Sequence, residues 1–410
     1  MENGQETIGL LSPSRTVADS VGAPRISLCM ICGNEESVIL KCLESAKSAF
    51  DELCLVQAIG EQEEDDTFKV AWKWCLDNKK RFRFGIYRNK VAGLKHVDDF
   101  GAARNQSFEL ALSQRAHRNS TASDWLLWLD CDDYLDDINC GRIREAVATC
   151  PDQWNALFCR YRVESEGAVI SRERLIRACG RPRWKNAVHE TCTIEGKTGD
   201  CPQIEVFHAD HTAKHESSAA RNLSILTRVT QDAGRHHFYL HTDLKTMGRS
   251  EESLRAGHAA LALLAPDQVE ERYLILLNLS ELEPERRRER LLEAVGLQPH
   301  RREAFAYLVQ LSLINGHRSD AISFFRLMDS LPVPSPVPWT HQGIWYNGWA
   351  RHFLRVRVLR AAGKHQMAQD DYWMHWKASE EFRKGAEAWS ARNGFLDFGG
   401  GNPDPEEPKL

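Results

Sequence analysis

Ile26-Ser-Leu-Cys-Met-Ile-Cys32, followed at once by Gly33-Asn34-Glu35-Glu36, decides the fold class. The near-continuous apolar run suits a strand buried on both faces, and the polar break opens onto helical spacing at Val38, Leu40, Cys42 and Leu43. This strand-turn-helix unit recurs outward. Leu53-Cys-Leu-Val56 leads past the acidic stretch Glu61 to Asp66 into a helix around Phe68 to Leu76. Phe82-Arg-Phe-Gly-Ile-Tyr87 precedes a helix from Phe100 to Leu112, and Trp125-Leu-Leu-Trp-Leu129 is a fourth strand. Alternating strands and helices imply an α/β domain with a mostly parallel sheet. The CxxC from Cys29 to Cys32 falls inside the first strand, where residues three apart face opposite ways, so it does not read as a metal knuckle.

At 410 residues the chain is long enough for two or three domains. With 42% hydrophobic and 27% charged residues it is neither fibrous nor wholly disordered. Against 53 Lys+Arg stand 58 Asp+Glu, a net charge of −5, so no global positive field attracts polyphosphate or an anionic membrane. No run approaches the roughly 18–20 apolar residues that span a bilayer, and Met1 to Pro24 lacks the pattern of a signal peptide. The 12 cysteines are scattered from Cys29 to Cys201, away from disulfide-framework spacing, which makes the reducing cytoplasm the expected location.

Residues 1–24, rich in Gly, Ser, Thr and Pro, read as a flexible leader, and 391–410, with its Gly/Pro/acidic end, as a flexible tail. The α/β domain is expected over 25–216 and an all-α domain over 217–390. In the latter, Met247-Gly248-Arg249 and Asn315-Gly316-His317 lie 68 residues apart, twice the tetratricopeptide length of about 34, and each precedes a helical run. Glu281-Leu-Glu-Pro-Glu-Arg286 falls midway. Ala362-Gly363-Lys364 recurs later, displaced by the insert Leu331-Pro-Val-Pro-Ser-Pro-Val-Pro338. Stacked helix pairs of this kind offer a concave surface to peptides or partner domains.

The strongest chemical signal is Trp128-Leu-Asp130-Cys-Asp132-Asp133, where a hydrophobic strand runs straight into carboxylates. At a strand's carboxyl end such groups emerge into the crevice where α/β sheets bind ligands. While the chain stays extended, Asp130 and Asp132 share a face and reach one hard cation, Mg²⁺ or Mn²⁺, which would neutralise a departing diphosphate. The plain alternative is a charged turn closing the strand.

Four segments in order carry a family resemblance: Ile26 to Glu36, Asp99-Phe-Gly-Ala-Ala-Arg-Asn105, Trp128 to Asp133, and Trp184-Lys-Asn-Ala-Val-His-Glu190. The chain resembles family 2 glycosyltransferases with a GT-A fold, and more narrowly the bacterial branch with a tetratricopeptide-like C-terminal region that includes peptide S-glycosyltransferases. The resemblance implies that Ile31, Asn34 and Glu35 cradle the nucleoside. It places Asp99 and Arg104 in the nucleotide pocket, and Asp130, Cys131 and Asp132 at the diphosphate. Asp130 and Asp132 are then metal ligands with His208. For Asp99 and Arg104 the structural alternatives are a helix N-cap and a surface ion pair. His189 and Glu190 fall near the acceptor: Glu190 is the expected base, His189 is the alternative base or a group that orients a phosphate, and a purely structural His189 stays open.

One departure stands out: Gln57 sits where the family has an Asp, leaving the preference for uridine as a default. Cys192, Cys201, His208, His211 and His215 lack zinc-site spacing. Arg286 to Arg290 with Arg301 and Arg302 read as a solvated helix face, and the tryptophans from Trp339 onward as core packing. No P-loop, G-x-S-x-G or G-x-G-x-x-G sequence occurs. The expected protein is a Mn²⁺- or Mg²⁺-dependent inverting glycosyltransferase moving a hexose from a nucleotide-diphosphate sugar, UDP-linked by default, to an acceptor such as a peptide or protein side chain. A modified nucleobase or other nucleic acid, a lipopolysaccharide core, self-association through the helical domain and a non-catalytic nucleotide-binding adaptor stay open.

Overall fold

The computed structural model describes residues 6–7, 24–113, 125–163, 168–209, 218–229, 232–332 and 348–393. The expected leader apart from residues 6, 7 and 24, the insert from 333 onward and the tail from 394 lie outside the described residues, as do Trp339 and Trp345. The chain divides into two compact units, Met1–Arg249 and Ser250–Leu410.

The first unit carries β1 (Glu6–Thr7), β2 (Ile26–Cys32), α1 (Ile39–Ala46), β3 (Glu52–Gln57), α2 (Thr67–Asp77), β4 (Arg81–Ile86), α3 (Phe100–Leu112), β5 (Trp125–Trp128), β6 (Asp133–Tyr134) and α4 (Asp137–Thr149). It continues through β7 (Trp154–Val163), β8 (Ala168–Arg177), β9 (Arg183–Lys185), β10 (Thr191–Thr193), β11 (Lys197–His208), α5 (Ser218–Leu226) and α6 (Ala233–Thr246). The main sheet runs β1-β11-β7-β8-β5-β2-β3-β4, with β6 added against β11. β2 lies between β3 and β5 and is parallel to both, and β4 continues the parallel set. β8 runs antiparallel to its neighbours β5 and β7. The mostly parallel α/β architecture expected from the alternating pattern is the one observed.

Every residue of β2 is buried, because both faces are covered. Ile26, Leu28, Met30 and Cys32 pack with α1, α2 and α4, while Cys29 packs on the other side with Phe108 and Ala111 of α3. The CxxC thus splits across the sheet. All twelve cysteines are free thiols; Cys179 is exposed, Cys192 is half-buried and the others are buried. Among the described residues, aspartate caps start α3, where Asp99 accepts from the Ala102 N–H, α4, where Asp136 accepts from Asn139, and α6, where Asp232 accepts from Arg235. The first unit extends past the expected limit at 216 and takes in α5 and α6.

The second unit is all helical where described: α7 (Ser250–Leu263), α8 (Val269–Leu282), α9 (Arg287–Leu297), α10 (Arg302–Ile314), α11 (Arg318–Ser330), α12 (Trp349–Ala361), α13 (His365–Ala378) and α14 (Glu380–Asn393). Consecutive helices from α7 to α14 pack on one another. The recurring glycine signals are helix C-caps of one design. Gly248, Gly316 and Gly363 sit at φ between +72° and +74°. The N–H groups of Arg249, His317 and Lys364 return to the carbonyls of Leu244, Ser312 and Leu359, the wider bond of a Schellman motif.

Two readings of this region meet the structure differently. Trp349, Trp373, Trp376 and Trp389 pack with Phe353, Tyr372 and Phe382, as core packing requires. The arginines are not a uniformly solvated face. Arg290, Arg301 and Arg302 are buried: Arg290 is paired with Glu283 at 2.7 Å, Arg301 with Glu303 at 2.6 Å and Glu270 at 2.7 Å, and Arg302 bonds the Leu331 carbonyl. Only their carboxylate and carbonyl partners make such burial affordable.

Candidate functional site

Because β3 and β4 extend to one side of β2 and β5 lies on the other, the strand order reverses beside β2. The carboxyl ends of β2 and β5 therefore flank the crevice where such sheets take ligands. The turn at Asn34-Glu35, the end of β3 at Gln57 and the carboxylates after β5 all emerge there.

Arg104, on α3, ties the site together. Its Nη2 donates to Asp130 Oδ1 at 2.7 Å and its Nε to Glu190 Oε1 at 2.6 Å. The guanidinium lies 4.8 Å from the Trp128 ring centre, and Trp184 meets Trp128 edge-on at 5.0 Å. Beside it Asn105 makes a two-way bond with the Trp184 backbone at the start of the β9–β10 hairpin, 2.9 Å in each direction. The Phe100 N–H donates to the Ala187 carbonyl. At Gly101 a Cβ would come within 2.5 Å of the Asn186 carbonyl, so only glycine fits. The D-F-G-A-A-R-N segment is thus the mould for the hairpin loop that carries His189 and Glu190.

After β5 the chain does not stay extended. The Asp133 N–H returns to the Asp130 carbonyl at 3.1 Å, and this turn sends the carboxylates different ways. Asp130 faces Arg104, whereas Asp132 and Asp133 gather with His208 from the end of β11. His208 Nδ1 lies 3.5 Å from Asp132 and 3.3 Å from Asp133. Asp133 is fully buried and accepts from Tyr161 at 3.0 Å, while Arg174 pairs with it at 3.0 Å. Arg174 is itself buried, 3.8 Å from the Trp128 ring centre.

These surroundings pull the carboxyls apart. Burial works to raise Asp130, but the guanidinium of Arg104, and then that of Arg174, outweigh it and hold the group at about 2. Burial, then the charge of Asp130, pushes Asp132 up to about 7 despite His208. The Asp133 hydrogen bond, overcoming burial and helped by Asp132, raises His208 to about 9.

Asp132, Asp133 and His208 offer ligand atoms all within 4.8 Å of one another. Bonds of about 2.1 Å from one octahedral cation put neighbouring ligands roughly 3 Å apart, near the 3.5 and 3.3 Å between His208 and the two carboxylates. The crowding that raises Asp132 is what a cation relieves, so the donor set fits Mn²⁺ or Mg²⁺.

The other expected residues have varied placements. Ile31 is buried, and its carbonyl accepts from the Cys131 thiol at 3.5 Å, which turns Cys131 into the core. Asn34 holds the acidic loop, donating to the Glu63 carbonyl at 2.8 Å and accepting from Asp65 at 3.3 Å. The Glu35 carbonyl receives Val38 and Ile39 at the start of α1, and its N–H donates to Thr67. Gln57 ends β3 almost wholly buried, with Nε2 lacking a hydrogen-bond partner among the described residues. Asp99 caps α3, the structural role open to it. Asp98, missed beforehand, accepts from Tyr87 and from the N–H groups of Lys90 and Val91, fixing the loop before α3. Arg174 and Tyr161 were missed as well. His211 and His215 lie outside the described residues.

His189 has left-handed backbone, φ +51°, in the β9–β10 loop. Its ring stacks on Tyr239 of α6 at 3.8 Å between centres and 5° between planes. Its Nε2 lies 3.5 Å from Asp243 Oδ2 and 3.3 Å from Asn222 Nδ2.

No protein-family model matches the chain, and no curated protein does. Among solved structures, the mannosyltransferase PcManGT from Pyrobaculum calidifontis, in complex with GDP-Man and Mn²⁺, is similar at 14% identity and a TM-score of 0.36, over 77% of this chain and 88% of that one. S. aureus TarS 1-349 is similar at 11% identity and 0.33, over 75% and 90%. MamA AMB-1 is similar at 17% identity and 0.31, over 41% of this chain and 91% of its own. Likenesses with TM-scores this low fix neither fold nor activity, which rest on this chain's own residues.

Proposed function

We propose that the chain is a metal-dependent glycosyltransferase of GT-A type, moving a hexose from a nucleotide-diphosphate sugar to an acceptor with inversion at the anomeric carbon. The observation that carries the reading is Arg104, which joins the carboxylate after β5 to the carboxylate of the β9–β10 loop beside the Asp132, Asp133 and His208 donor set. Donor-side and acceptor-side groups are thereby held on one buried cation.

In this reading Asp132, Asp133 and His208 hold the divalent cation, with Asp130 adjoining them. Bound there, the cation supplies charge neutralisation for the leaving diphosphate. Arg104 adds fixed positive charge that needs no reorganisation during the reaction. The Asn34-Glu35 turn and Gln57 receive the nucleoside; the buried amide of Gln57 offers an N–H to a base carbonyl, and UDP is the first donor to try. Glu190 or His189 takes the acceptor's proton. The stacked helix pairs of the second unit favour a peptide or protein side chain as acceptor.

The test is UDP release from a panel of UDP-sugars with and without Mn²⁺, for wild type and Asp132→Ala, alongside calorimetric titration with UDP. Metal-dependent release that is lost in the variant supports the reading. UDP binding with no release from any donor favours the adaptor. No binding of UDP, GDP or TDP overturns both.

A further inference from the structure

On the acceptor side of the proposed site, His189 of the fourth segment is held by residues of α5 and α6 that none of the four segments includes, and its use as a base rests on the glycosyl-transfer reading. His189 adopts φ +51°, a conformation that a non-glycine residue keeps only where its surroundings enforce it. They do so from α6. Arg235 Nη2 donates to the His189 carbonyl at 3.3 Å and to the Tyr239 hydroxyl at 2.8 Å, and the Tyr239 ring lies flat against the imidazole.

Nε2 of His189 faces two competing groups. Asp243 Oδ2 stands 3.5 Å away, and Asn222 Nδ2 3.3 Å away. Asn222 Oδ1 accepts from Arg221, which turns the amide N–H toward the ring. One ring nitrogen cannot serve both. It either donates to Asp243 as Nε2–H or accepts from Asn222 as the other tautomer. The Asp243 side chain is only 8% exposed and has no other polar partner among the described residues, so the Nε2–H form is the one that keeps its carboxylate hydrogen-bonded. Nδ1 then carries the lone pair. It has no partner among the described residues, and the side chain is 28% exposed. Glu190, by contrast, has its Oε1 tied to buried Arg104. The charged groups around the ring are Asp243 and Arg235 on α6, Arg221 on α5 through Asn222, and Glu190 in the loop itself.

We propose that His189 is the base of the transfer reaction and that Asp243 is the positioning residue that holds it in its base-competent tautomer. As the acceptor's oxygen or sulfur attacks the anomeric carbon, its proton passes to Nδ1. The bond from the anomeric carbon to the diphosphate oxygen breaks with its electron pair on that oxygen. The imidazolium keeps Nε2–H on Asp243 and returns the Nδ1 proton to solvent.

The experiment uses the full chain, Mn²⁺ and UDP-glucose, with UDP-galactose and UDP-N-acetylglucosamine in parallel, and reads UDP release into water. Long-range ¹⁵N–¹H spectra of histidine-labelled protein report the His189 tautomer, assigned by its loss in His189→Gln. Asp243→Asn keeps the shape and removes the charge. It is expected to lower kcat at least tenfold with Kd for UDP unchanged, and to move His189 from the Nε2–H to the Nδ1–H form, with Asp243→Glu restoring part of both. An unchanged tautomer in Asp243→Asn overturns the positioning role. Wild-type turnover in His189→Gln overturns the base. A wild type that binds UDP and turns over no donor overturns the base together with the transfer reading, whereas a working wild type with an indifferent Asp243→Asn overturns the role of Asp243 alone.

Discussion

Arg104 is buried with both carboxylate partners in place, so its removal strips Asp130 and Glu190 of the guanidinium that they share. Arg104→Ala is expected to cost on the order of 3 kcal/mol in a denaturant titration and to abolish UDP release, and Arg104→Lys, with a single ammonium, to recover stability better than turnover. His208 makes a second prediction, for protein stripped of metal. Its proton is held more tightly in the folded state, at about 9, than in the unfolded chain near 6.5. The stabilisation is therefore complete below pH 6.5 and is lost as pH rises through 9. Unfolding midpoints across this window should fall more steeply for wild type than for His208→Ala; buried thiols, whose pKa values are raised, add the same alkaline loss to both proteins. A saturating divalent cation should cancel the difference. At this scale the sequence displayed the groups and hid their directions. Asp130 and Asp132 were legible as a pair, but the turn at Asp133 that parts them depends on β6 pairing with β11, a contact made at long range. Arg174 was illegible because a lone arginine in a strand reads as exposed; only the fold puts Asp133, Trp128 and Tyr161 around it.

Among the elements, α3 and the β9–β10 hairpin behave as a single part. Gly101→Ala would drive a Cβ into the Asn186 carbonyl, and because that obstacle is backbone, the loop must give way. The expected result is a loss of about 1–3 kcal/mol with a larger proportional loss of turnover, since His189 and Glu190 move with the loop; thermal melts and UDP release measured together separate the two. The parallel half of the sheet was readable strand by strand, since two-sided burial leaves continuous apolar runs such as Ile26 to Cys32. The other half was not. In β8, Arg172-Glu-Arg174 interrupts the pattern with residues whose partners lie on β5 and β6, and β11 pairs with β7 through register shifts that break any simple alternation. The helix caps at Gly316 and Gly363 were visible because a left-handed C-cap is a local requirement that glycine meets without help from the rest of the chain.

Over the whole chain, the division falls after Arg249, and the helices just before it complete the surroundings of His189. A fragment ending at residue 249 is expected to melt cooperatively and bind UDP. One ending at 216 should lose Tyr239, Asp243 and Arg235 together, leaving the hairpin loop unsupported and the protein aggregation-prone, as light scattering and calorimetry would register. Helical spacing alone could not reveal this, because α5 and α6 have the same periodicity as the helices that follow; what assigns them to the first unit is side-chain contact, not pattern. The distribution of the thiols has a practical outcome. Eleven of the twelve are at least half covered, and Cys179, just beyond β8, stands open. The native protein therefore offers one preferred handle to a maleimide dye or spin label under brief exposure. Conformational change during turnover can be followed by fluorescence or electron paramagnetic resonance from that position without first stripping the chain of its cysteines.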